Sequence, residues 1–229
     1  MSGRKPGTVV RRTDRSDDRR RDFTSFAAAS IVLLACDVPG YSSSMRAVWL
    51  SVPESFLEER RRLGHDKKDE LWDGELHMVP PPSSRHILLW YELLDALVPI
   101  AKRHGLERMP DTTGLFGPGD NWRIPDGMLV RPEQISDRGV EHAQLVIEVL
   151  SPNDESYAKL PWYAKIEIPE VWIIDPGTRA IEIYALIAGT QRLLRPTKSG
   201  VVSPLLGIRL EVVAGPKLRL HDGDSYTDI

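Results

Sequence analysis

Arg123-Ile-Pro-Asp126-Gly-Met-Leu-Val130, followed beyond the loop 131–143 by Gln144-Leu-Val-Ile-Glu148-Val-Leu150-Ser151, has the pattern of two strands. Each segment is an apolar run of strand length bounded by turn-type residues. Leu145–Leu150 is apolar on both faces apart from Glu148, which predicts a central strand covered on both sides. Antiparallel pairing through the loop sets Val130 near Leu145 and Asp126 near Val149. Asp126 and Glu148 are then neighbours at one end of the hairpin. Cross-strand neighbours lie ~5 Å apart, or ~7–8 Å on the diagonal. Carboxylates at that spacing repel unless a cation or a shared proton lies between them. A divalent metal bound by hard oxygen ligands meets that need.

C-terminal to this pair, a short helix is expected near Pro161–Ile166, and Glu-Val-Trp-Ile-Ile-Asp over 170–175 is a strand closed by Pro176-Gly177. Ala180–Ile187 and Gln191–Leu194 form a further strand pair turning at Ala188-Gly189-Thr190, and Leu205–Leu220 supplies one or two edge strands. On the N-terminal side, strand material lies around Leu106–Phe116. A helix over roughly Arg85–His104 is capped by Ser83 or Ser84 and shortened or kinked at Pro99. Its predicted buried stripe is Ile87, Leu88, Tyr91, Leu94, Ala96, Leu97, Val98 and Ala101. Asp73-Gly74 marks a tight hairpin within Leu71–Val79, and Pro53–Leu63 is a short amphipathic helix ending at Gly64. Helix, strands, helix and strand in one chain predict an α/β (α+β) domain with a mixed sheet.

The 229 residues carry a net charge of −3, unevenly spread. Residues 1–44 are net +3 and the remainder is net −6, and an acidic domain counts against a nucleic-acid binder. The single Cys36 excludes an intramolecular disulfide and a cysteine zinc cage, and it fits a reducing, cytoplasmic setting. Residues 1–25 are too poor in apolar side chains to fold alone. The apolar run Phe26–Cys36, preceded by Arg19-Arg20-Arg21, has the length of a secretory-signal core but is too short to span a bilayer. Residues 1–44 are therefore read as a disordered or mis-started extension, with Met45 as an alternative start, and 45–229 as the domain. A genuine export signal or lipid anchor in residues 1–44 is the competing explanation and the sole route to a membrane.

Five pieces stand in order: Leu71-Trp-Asp-Gly-Glu75, Pro82-Ser-Ser-Arg-His86, Ile124-Pro-Asp126, Val146-Ile-Glu-Val-Leu-Ser-Pro152, and Lys159-Leu-Pro-Trp-Tyr-Ala164 leading to Ile168-Pro-Glu-Val-Trp-Ile-Ile-Asp175. Over roughly residues 47–210 the chain resembles the Uma-type family of restriction endonucleases, a branch of the PD-(D/E)XK nuclease superfamily. The resemblance implies a restriction-endonuclease-like mixed sheet flanked by helices, with a divalent metal at one sheet edge. Asp126 and Glu148 match the two acidic motif positions, Glu75 matches a further acid, and His86 matches a recurrent accessory histidine. Where the superfamily motif places its lysine, this chain has Leu150, and Lys159 matches the lysine that this branch moves into the following helix. Pro161 disfavours a helical Leu160, so Lys159 is expected in a loop or at a helix start.

The activity implied is metal-dependent hydrolysis of phosphodiester bonds in DNA. Asp126, Glu148 and the main-chain carbonyl of Val149 are the expected metal ligands, with Glu75 completing the shell and Lys159 orienting the nucleophile or offsetting charge. Magnesium or manganese suits an all-oxygen site, whereas zinc prefers His or Cys. A homodimer would supply two sites for two strands. Two explanations compete. Glu148 could be a structural partner of Arg123, and the domain could be a catalytically inactive relative that binds nucleic acid or a protein.

Overall fold

The computed structural model describes residues 31–34, 46–49, 53–64, 66–79, 82–119, 121–152 and 155–229. The chain divides into two units, Met1–Pro53 and Glu54–Ile229. In the first, β1 (Ile31–Leu34) and β2 (Arg46–Trp49) pair antiparallel, with Ile31 opposite Trp49. The polar segment 1–25, the arginine run, Cys36 and Met45 lie outside the described residues. Among the described residues, no helix is long and apolar enough to cross a membrane.

The second unit runs α1 (Glu54–Leu63), β3 (Glu70–Trp72), β4 (Glu75–His77), α2 (Ser84–Arg103), β5 (Glu107–Met109), β6 (Leu115–Phe116), β7 (Trp122–Arg123), β8 (Gly127–Val130), β9 (Leu145–Val149) and α3 (Ser156–Lys165). It continues through β10 (Glu170–Ile174), β11 (Ile181–Ile187), β12 (Thr190–Leu193), β13 (Val201–Val202), β14 (Arg209–Val213), β15 (Lys217–Asp222) and β16 (Ser225–Asp228). Six strands form the central sheet in the order β12-β11-β10-β9-β8-β5. β9 and β10 are parallel and the other neighbours antiparallel, which makes the sheet mixed, as its α/β pattern predicts. The hairpin β3–β4 belongs to a separate sheet, β4-β3-β7-β6. It turns through Asp73 and Gly74, both at positive φ, the conformation that an Asp-Gly hairpin turn requires.

β9 is buried along its whole length. Side chains alternate across a strand. Leu145, Ile147 and Val149 therefore pack with Leu89, Leu93 and Leu97 of α2, while Val146 faces Trp162 and Tyr163 of α3. By the same alternation Glu148 lies on the α3 side. The β8–β9 register differs by one residue from the expected one: Leu129, not Val130, is opposite Leu145. Gln144 N–H donates to the Leu129 carbonyl at 2.8 Å, and the ladder begins there. Continued by one residue, this register sets Asp126 opposite Glu148.

Two further expectations are corrected. In α2, Leu89, Trp90, Leu93, Leu94, Leu97, Ile100 and Ala101 form the buried stripe, while Ile87, Leu88 and Tyr91 are exposed. Residues 86, 89–90, 93, 97 and 100–101 follow the helical period, and 87, 88 and 91 fall on the opposite side. The C-terminal segment builds its own antiparallel sheet, β13-β14-β15-β16, instead of edging the central one. Leu210, Leu218 and Leu220 alternate inward and join the core shared with α2.

Gly127 fixes how α2 docks. A Cβ there would stand 1.8 Å from the ring of the buried Trp90. Only glycine lets that indole lie flat against β8, beside Asp126. Gly127→Ala is expected to destabilise the domain by roughly 2–3 kcal/mol or more through overpacking. Thermal unfolding checks this; an unchanged melting temperature would show that the Trp90 seat is not tight.

Candidate active site

Four elements bring ionisable side chains to one place at the end of β9. β9 contributes Glu148, the turn into β8 contributes Asp126, β3 contributes Glu70, and α3 contributes Lys159 and Tyr163. Lys159 Nζ lies 2.9 Å from Glu70 Oε1 and 3.1 Å from Glu148 Oε1. Tyr163 donates its hydroxyl to Glu148 Oε1. Glu70 Oε1 also accepts the Ile124 N–H at 2.8 Å, and its Oε2 accepts Trp72 Nε1 at 2.7 Å. All four groups are buried: Glu148 is 3 % exposed, Glu70 1 %, Lys159 8 % and Tyr163 0 %.

Asp126 stands at the margin of this cluster. Its Oδ2 accepts the Val149 N–H at 2.7 Å, and its Oδ1 lies 2.9 Å from His86 Nε2. The carboxylate thus reaches along the end of the ladder, so its contact is with Val149 although its register partner is Glu148. His86 is held on the first turn of α2, where Ser83 Oγ caps its backbone N–H at 3.3 Å.

The electrostatics follow from burial and from an excess of acids. Burial pushes the Glu148 carboxyl up to about 8; Lys159 opposes the shift, while Asp126 and Glu70 add to it. Burial alone would lower Lys159, but Glu148 and Glu70 outweigh it and hold the ammonium above the usual lysine range. Burial, then the charges of Glu148 and Glu70, raise the Tyr163 phenol well above its ordinary value. Three carboxylates facing one ammonium leave the cluster short of positive charge.

That shortage, with a donor set made wholly of oxygen, fits a hard divalent cation. Among the described residues, no group of three or more acidic, histidine or cysteine side chains is arranged to hold a metal by itself. Magnesium is commonly held by one or two carboxylates with water and phosphate oxygens completing its octahedron. Asp126 and Glu148 suit that manner of binding.

The structure brings Asp126, Glu148, Lys159, His86 and the Val149 backbone together. It does not bring Glu75 to the cluster. Glu75 is exposed, next to the Asp73-Gly74 turn and paired with Trp72. Glu70, paired with His77 deeper in the same hairpin, is the acid that reaches Lys159. Counting outward from the turn could have found it, because a residue beside the tip is solvated while one two positions further in reaches the sheet. Tyr163 packs in the core beneath α3 and also serves Glu148, for which no spacing gives a signal.

Lys159 is the fourth residue of α3, a helix that begins at Ser156 and passes through Pro161. Of the two expected settings, a loop or a helix start, the structure shows the helix start, and the helix continues through Leu160 and Pro161 with Trp162 and Tyr163 buried against the sheet. Arg123 is not the ion partner of Glu148. One of its terminal nitrogens donates to the Leu71 carbonyl at 2.8 Å and to Asn121 Oδ1 at 2.7 Å, with the guanidinium carbon 4.3 Å and 4.5 Å from the Trp72 and Trp162 rings.

A family model described as "Uma2: Putative restriction endonuclease" matches residues 53–214, more than half of the chain. Five solved chains match. One is the crystal structure of a "putative nuclease belonging to DUF820" from Anabaena variabilis, 18 % identical, with a TM-score of 0.52 over 66 % of this chain and 90 % of that one. At that identity the likeness is one of fold. A search of curated proteins gives no match.

Proposed function

The chain belongs to the Uma2 family of restriction endonucleases, and from that premise we propose that the Asp126–Glu148–Lys159 cluster hydrolyses phosphodiester bonds in DNA with a bound divalent cation. The observation that carries this reading is the direction of Lys159. Its ammonium lies between Glu148 and Glu70 and not in solvent.

Asp126 and Glu148 would hold the cation, with the Val149 carbonyl as a third oxygen. Magnesium or manganese there would act as Lewis acid on the phosphoryl oxygen and lower the pKa of the attacking water. Tyr163 and Lys159 fix the Glu148 carboxylate from two sides. Glu70 anchors Lys159, whose positive charge would offset the negative charge that develops on the phosphorus-bound oxygens. Water adds to phosphorus, the ester P–O bond breaks, and the leaving oxygen takes up a proton. Among the described residues there is one such cluster, so cutting both strands would need a second copy or two successive nicks.

The test is metal removal. Purified protein with supercoiled plasmid in Mg²⁺ is expected to give nicked product, with linear product added if two copies act together. EDTA abolishes cleavage and Mn²⁺ in excess restores it. Cleavage that survives chelation, or none with either cation, would overturn the reading. A parallel single-stranded RNA substrate separates DNA from RNA hydrolysis.

A further inference from the structure

His86 makes two hydrogen bonds that the hydrolytic chemistry above leaves without a role. Its Nε2 lies 2.9 Å from Asp126 Oδ1, and its Nδ1 lies 3.2 Å from Ser151 Oγ. The residue is 5 % exposed. Its ring is carried rigidly: Ser83 caps its backbone, and Trp90, one turn further along α2, is seated on Gly127. Ser151 follows β9 two residues after Val149, whose N–H meets the other oxygen of Asp126. Both oxygens of this carboxylate therefore have a fixed partner, one from α2 and one from β9.

For a neutral imidazole between a carboxylate and a hydroxyl, the proton positions follow from the chemistry of the pairs. An ionised carboxylate only accepts hydrogen bonds, so Nε2 carries the proton shared with Asp126. In the neutral ring Nδ1 is then an acceptor, and the Ser151 hydroxyl donates to it.

We propose that His86 is a positioning residue for the cation site. It holds Asp126 through Nε2–H, with Ser151 fixing the tautomer, so that Asp126 is kept in place to serve, with Glu148, as a ligand when a cation binds. This rests on the nuclease reading above. It assigns His86 to the metal affinity of the site and not merely to the packing of α2, whose apolar contacts are made by Leu89, Leu93 and Leu97. Outer partners that orient a ligand are typically worth about 10–100-fold in metal affinity.

The experiment is calorimetric titration of Mn²⁺ into the metal-free full chain, without nucleic acid. The variants are His86→Leu, His86→Asn and His86→Gln. A glutamine amide nitrogen takes the place of Nε2 and can still donate to Asp126. An asparagine amide takes the place of Nδ1 and cannot reach it. Binding is expected to weaken about 10–100-fold in H86L and H86N, and to return to within about threefold of wild type in H86Q. Nitrogen-15 spectra of the metal-free wild type should show His86 as the Nε2–H tautomer, and Ser151→Ala should mix the tautomers. Should H86L not fold, the contrast between H86N and H86Q carries the test. Wild-type affinity in folded H86L or H86N, Gln no better than Asn, or an Nδ1–H tautomer would overturn the positioning role while leaving the nuclease reading intact. A wild type that binds no Mn²⁺ overturns the metal reading itself, and with it this role.

Discussion

Lys159→Met is expected to cost the domain ~3–5 kcal/mol, the penalty for leaving buried carboxylates without their cation. Glu70 and Glu148 are each within reach of Lys159 Nζ, and both lie almost wholly out of water. Against a typical net stability of ~5–15 kcal/mol, a loss of that size leaves little margin at 37 °C. The cost should be largest above pH 8 and shrink in acid, where Glu148 takes up a proton and no longer needs a partner. Denaturant unfolding of metal-free protein at pH 5.5 and 8.5 measures this. Adding Glu148→Gln to Lys159→Met should recover part of the stability, because the two residues are in contact and their effects do not add. It should recover no cleavage. A Lys159→Met protein as stable as wild type at pH 8.5 would mean that the ammonium is not the counter-charge of the cluster.

Glu148→Gln has the opposite sign for stability. The Glu148 carboxyl is held at about 8 in the folded metal-free chain, against an ordinary value of 4.5. Between those values the folded state binds more protons than the unfolded state, so stability falls as pH rises from one to the other. Glutamine removes that dependence. At pH 8.5 the variant should be more stable by roughly 2–5 kcal/mol, from a displacement of about 3.5 pH units at ~1.4 kcal/mol each. That corresponds to a melting temperature higher by roughly 4–20 °C for a chain of this size. At pH 4.5 or below the two proteins should unfold alike. Cleavage should drop by about 10²–10³-fold or more, the scale of losing a group aimed at transition-state charge. Gaining stability while losing activity is the usual mark of a site whose charges are kept for chemistry.

The central part of this arrangement was legible because strand patterns carry strong local signals. Leu145–Val149 is apolar on both faces, and only a covered central strand has that composition, so a carboxylate in it had to be paired or functional. The α/β order, the Asp73-Gly74 hairpin and the Ser83 cap were readable for similar local reasons. What was not legible depends on contacts between distant segments. The one-residue register difference at Leu129 is set by how the loop 131–144 closes, which no residue in the strands announces. Glu70 looks like one more acid in a charged loop until β3 is placed against Lys159. Pro161 disfavoured a helical Leu160 from its own stereochemistry, yet the expected helix starts earlier, at Ser156, and runs through Leu160, with the apolar side chains of α3 packed on the sheet. Nothing in the sequence marks Tyr163 as a hydroxyl directed at Glu148.

The claim that these residues form a hydrolytic centre is tested most directly by plasmid cleavage in Mg²⁺, wild type beside Glu148→Gln, at pH 8.5 and a temperature where both are folded. Because both proteins are folded under these conditions, unfolding cannot account for a loss. Nicked or linear DNA from the wild type and none from the variant is the predicted result. Equal cleavage by both, or cleavage by neither, would contradict it.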